Sequence, residues 1–151
     1  MAALAAWCRP EDVDADHEPT AVEALRWIAA ADYLVLGAGI RAADGEAAVN
    51  PGCCADLEAW RAWPDTWLGH PAPRVEHADG GVTIREDEPS QNSVTLATGD
   101  LPGLLAAVRN DLITFLSAVR RWTADVCAET ELAAAVVANI DRHVVITAPL
   151  A

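Results

Sequence analysis

Along the last third of the chain, apolar residues recur at alternating spacings of four and three: Leu101, Leu105, Val108, Leu112, Phe115, Val119, Trp122 and Val126. That spacing keeps side chains on one face of an α-helix and predicts a long helix over 100–126. Leu104 and Leu116 widen the apolar face, while Arg109, Asn110, Ser117, Arg120, Arg121 and Asp125 occupy the other side. The element is therefore expected to be half buried and half wet. Asp100 is placed to cap it, with Pro102 just inside the first turn. An apolar face of this kind needs a cover, either a second copy of the helix or a sheet of the same chain. Pro102, Gly103 and the strand-like segments elsewhere favour the sheet.

Upstream, Thr20-Ala21-Val22-Glu23 reads as a capping box opening an amphipathic helix over 20–31, with Val22, Leu25, Ile28 and Ala29 inward. The run YLVLGAGI at 33–40 reads as a strand, folded back onto 47–50 by an Asp44-Gly45 turn. A short helix is predicted over 53–63, where Pro64 stops it. A second hairpin is predicted from 74–77 and 82–86 around Asp79-Gly80-Gly81, followed by a third strand over 93–98. After the long helix, 129–140 reads as a further helix and the β-branched run 143–147 as a closing strand.

This order predicts an α+β fold spanning 1–151 as a single domain. In it a small, mainly antiparallel sheet of hairpins packs against a long central C-terminal helix and two or three shorter helices. Segment 8–19 is expected to be an acidic surface loop.

Charge narrows the function classes. The 151 residues carry a formal net charge of −13, with ten basic residues that are all Arg. Such a surface repels phosphate backbones, which argues against nucleic acid, and it steers a cationic partner toward itself. The abundance of Ala and the absence of Lys hint at a GC-rich, bacterial coding bias. The start MAALAAWC lacks the basic leader of a lipoprotein signal and has Trp7 where a small residue belongs, and no apolar run is long enough to span a bilayer. A cytoplasmic, membrane-free protein is expected, with its four Cys as free thiols.

Candidate chemistry is dispersed. Asp12, Asp14, Asp16 and Glu23 match four positions of a calcium-loop spacing, but His17 stands where that loop needs Gly, and Glu23 has the capping role. Adjacent Cys53 and Cys54, with His70, are the candidates for thiol catalysis. Their spacing fits no zinc motif, since neighbouring helical side chains diverge by about 100°. Neither metal nor cofactor is expected. Trp60, Trp63 and Trp67, near Arg61, His70 and Arg74, form an aromatic segment suited either to a core or to a binding hot spot.

The reading these features support is a small acidic protein-interaction module, of inhibitor or immunity type, for a cationic protein partner. The chain is expected to be a monomer or a weak homo-oligomer. Its contacts are expected at Trp63, Trp67, His70 and Arg74 and at the acidic Asp12, Asp14, Asp16 and Glu18. The alternative is an enzyme or small-ligand binder whose pocket gathers the Cys pair and the Trp-rich segment.

Overall fold

The capping box forms as its spacing requires. Thr20 Oγ1 accepts from the Glu23 amide at 3.3 Å, and the Glu23 carboxylate accepts from the Thr20 amide at 2.9 Å. Helix α1 (Ala21–Ala30) starts there and buries Ala24, Leu25 and Ile28. In this computed structural model the described residues are 8–150, apart from 12, 15, 35, 53, 54, 56, 66, 67 and 87–91. Two further helices follow, α2 (Leu101–Cys127) and α3 (Thr130–Val144). With two small antiparallel sheets they make the fold α+β, as the order of predicted elements requires.

Contacts sort the chain into two compact units, one of described residues in 8–34 and 109–149, the other within 36–108. The first is helical. Helix α1 packs on α3, and the largest buried apolar side chains between and beside them include Leu25, Ile28, Leu34, Val136, Ile140, Val144 and Ile146. A last helical turn leaves carbonyls without intrahelical donors. At the end of α1 these are met by Asn139, whose amide donates to the Ile28 and Ala31 carbonyls at 2.7 and 2.9 Å. Arg109 of α2 clamps the C-terminal segment in the same way, donating to the carbonyls of Ile146, Thr147 and Ala148 at 2.7–3.2 Å.

The second unit is built on strands. A hairpin joins β1 (Ala42–Asp44) to β2 (Ala47–Val49), and a meander joins β3 (Arg74–Ala78), β4 (Gly81–Arg85) and β5 (Ser93–Ala97). The Asp79-Gly80 turn works because Gly80 takes a φ of +89°, which glycine adopts without Cβ strain. Pairing Val82 with Leu96 and Ile84 with Val94 places alternate apolar residues on one face. Val82, Ile84 and Val94 bury there with Ala42, Val49, Trp63 and Leu68. Leu101 and Leu105, in the first two turns of α2, pack against this cluster.

Four expectations are overturned. Segment 33–40 forms no strand among its described residues beyond a single bridge at Gly37, because its Gly37-Ala38-Gly39 centre offers little side chain to support a ladder. The arms of the hairpin are 42–44 and 47–49 instead. Around 57–63 the chain makes only a 3-10 turn, Trp60–Ala62. The amides of Trp60, Ala62 and Trp63 bond three residues back, and Leu57 bonds away to the Leu36 carbonyl. Residues 143–147 are not a strand: α3 runs on through Val144, and Val145 ends it in the left-handed region at φ +56°. Helix continuity there outweighs the β preference of a Val-Val-Ile run. Asp100, finally, does not stand as an isolated cap but ends a 3-10 turn, Thr98–Asp100, that runs directly into α2.

The buried line of α2 is also displaced from the predicted one. Leu116 and Thr123 are its buried residues, whereas Leu104, Phe115, Trp122 and Val126 are exposed. No helix among the described residues is long and apolar enough to cross a membrane.

Candidate functional site

The helical unit holds an open cleft of about 380 Å³ at the C-terminal end of α1, lined by Arg9, Glu11, Trp27, Asp32 and Tyr33 among others. Each wall has a local cause. Trp27 lies at the edge of the apolar face of α1 and is half-buried. The chain leaves the helix at Ala31 in extended conformation, which turns Asp32 and Tyr33 outward. Tyr33 is 66% exposed, the most exposed large apolar side chain among the described residues.

Residues beneath the cleft hold these walls in place. His143 of α3 lies between two carbonyls, with Nδ1 2.8 Å from Asn139 O and Nε2 3.0 Å from Asp32 O. Its ring meets that of Tyr33 edge-on, with centroids 6.4 Å apart. On the opposite wall, the Arg9 guanidinium donates to the Asp14 and His17 carbonyls at 3.1 Å and lies 6.0 Å from the centre of the Trp27 ring. Its charge is thereby engaged within the 9–17 loop. The Glu11 and Asp32 carboxylates make no ion pair among the described residues. Burial pushes the Cys8 thiol up, so this cysteine is a poor nucleophile.

Two exposed carboxylates beside two aromatic side chains suit a cation, and the Arg9 guanidinium over the Trp27 ring is one such cation supplied by the chain itself. The strand expected over 33–40 begins at Tyr33, and Trp27 lies outside the inward set expected of the helix over 20–31. The legible signal was a Trp outside the inward set of an amphipathic helix, with an Asp-Tyr pair just beyond its end.

The residues singled out from sequence do not converge on this cleft. Asp14, Asp16 and Glu18 are exposed in the neighbouring loop, and the Asp14 carboxylate accepts from the Asp16 amide at 3.0 Å. Asp12, Cys53, Cys54 and Trp67 lie outside the described residues. Glu23 is occupied by its cap: the Thr20 backbone N–H first, and its hydroxyl next, hold the carboxyl below its ordinary value. Trp63 is 7% exposed and belongs to the sheet core, where the void beside it measures only about 10 Å³, no more than a water. His70 and Arg74 are exposed on the sheet unit, Arg74 on the outer strand β3. Gly52 packs against the backbone of Gly69 and His70 so closely that a Cβ would lie 2.3 Å from the His70 nitrogen. Comparison with known proteins finds no matching family model, curated protein or solved structure.

Proposed function

We propose that this protein is a small acidic interaction module that captures a cationic side chain of a protein partner in the cleft between Glu11, Trp27, Asp32 and Tyr33, in the manner of an inhibitor or immunity protein. The observation that carries the reading is that two unbridged carboxylates, Glu11 and Asp32, line one opening with two aromatic side chains, Trp27 and Tyr33, of which Trp27 already holds the Arg9 guanidinium over its ring. The net charge of −13 adds long-range attraction, and screening limits it to about 8 Å at physiological salt. The exposed Asp14, Asp16 and Glu18 extend the same negative field along the adjoining loop. An Arg or Lys anchor in such a cleft resembles the aromatic and charged hot spots that dominate protein interfaces.

The test is titration of the full chain with a fluorescent hexa-arginine peptide at low salt, with variants on both sides of the comparison. Asp32→Asn combined with Glu11→Gln, and separately Trp27→Ala, should each weaken binding about tenfold or more. Neutralising Asp44 and Asp79, which lie on the sheet unit, should change it less than about twofold. Equal losses from both pairs of carboxylates would reduce the attraction to bulk charge and overturn the cleft as the site.

A further inference from the structure

Four of the six large apolar side chains exposed among the described residues lie on one helix: Leu104 at 42%, Phe115 at 41%, Trp122 at 38% and Val126 at 36%. At about 100° per residue they fall within about 20° of the Phe115 direction, with Val108, Asp111 and Val119 completing the line within about 40°. The line is symmetric about Phe115. Reading outward in either direction, the spacings are four, three and four, so positions whose numbers sum to 230 are equivalent. Equivalent positions also lie on opposite sides of the centre line. These are the conditions for a helix to pair with an antiparallel copy of itself, in layers that alternate across the seam.

From this geometry we infer that the protein forms an isologous homodimer, in which α2 packs antiparallel on α2 of a second copy about a two-fold axis at Phe115. Phe115 then meets Phe115, Val108 meets Trp122 of the second copy, and Leu104 meets Val126. The charges select this arrangement. On one flank of the seam lie Asp111, Thr114, Ala118 and Arg121, all exposed or half-buried. The two-fold sets Asp111 against Arg121 of the second copy, and its symmetry makes the pair twice. Sliding the partner by one heptad, so that Phe115 faces Trp122, would instead bring Asp111 beside Asp125 of the second copy. Like charges in that register disfavour it. Thr114 and Ala118 are small enough to let the backbones approach along the same flank. Helix α2 is continuous over the whole line, which spans about 33 Å from Leu104 to Val126.

Sedimentation equilibrium of the full chain tests the inference. The wild type should be dimeric at the upper end of a series reaching about 100 µM. Phe115→Asp should be monomeric throughout with an unchanged far-UV circular dichroism spectrum, because the side chain is exposed in the single chain. Asp111→Arg and Arg121→Asp should each raise the dimer Kd about tenfold, and the two together should return it to within about threefold of wild type. Rescue by the double reversal is the decisive outcome, since it requires the antiparallel register. A wild type that stays monomeric across the series overturns the dimer. A dimer that survives Phe115→Asp, or a double reversal that weakens it further, overturns the proposed seam.

Discussion

Asn139 offers the sharpest test of how the helical unit is held. It is 5% exposed, and its amide supplies hydrogen bonds to the Ile28 and Ala31 carbonyls at 2.7 and 2.9 Å. Its Oδ1 faces the Arg142 Nε at 3.0 Å, and the donors and acceptors around it agree on one orientation of the amide. Replacing Asn139 by Ala removes both donors and the acceptor for Arg142. The Ala31 carbonyl keeps a bond from Arg142 Nη2 at 3.1 Å, so the Ile28 carbonyl takes most of the penalty. Two net hydrogen bonds at about 0.5–1.5 kcal/mol each, with a buried acceptor left bare, total about 2–4 kcal/mol. That is a large share of the roughly 5–15 kcal/mol by which a domain is stable. Urea melts followed by far-UV circular dichroism should show the loss as a shifted midpoint at unchanged slope. Asn139→Asp should cost at least as much at neutral pH, because it presents a carboxylate to two carbonyls, and should recover in acid, where the protonated group can donate once. An Asn139→Ala protein within about 0.5 kcal/mol of wild type would refute the cap as described.

Three further outcomes follow from single sites. Thr123 is fully buried and its hydroxyl has no hydrogen-bond partner among the described residues, so Thr123→Val should be stabilising by about 1 kcal/mol in the same melts. Val145→Gly should raise stability by about 0.5–1 kcal/mol, since a β-branched residue at φ +56° is strained and glycine is not; a loss would mean that the left-handed turn is not populated. Glu23 has a folded-state pKa lowered by its bonds to Thr20, so its contribution is present above the unfolded value of about 4.5 and is lost as pH falls through the lower folded one. Thr20→Ala should flatten that part of the acid unfolding profile, and an unaltered profile would remove Thr20 as the cause.

The α+β class, the extents of α1 and α2, the Asp79-Gly80 hairpin and the three-strand meander were all legible in the sequence. Each depends on local rules: a capping box, a helical or alternating period, a turn that only glycine relaxes. The apolar run at 143–147 was misleading for the same reason, since β-branched residues describe a preference, and α3 supplied the backbone hydrogen bonds first. Burial was not local at all. The period of α2 placed its apolar residues on one face, but the tertiary structure decided that Leu116 and Thr123 are covered while Phe115 and Trp122 are not. Trp63 likewise is core because Val49, Leu68 and Ile84 close around it, a fact that its Pro-rich neighbourhood does not contain. The cleft at Trp27 and Tyr33 is lined by residues 8–11 and the end of α1, and the Asp32 carbonyl at its wall is held by a histidine more than a hundred residues away. Sequence alone determined which elements form, because their hydrogen bonds are made between near neighbours. Which faces are buried and which side chains meet was left to packing, because that depends on residues far apart in the chain.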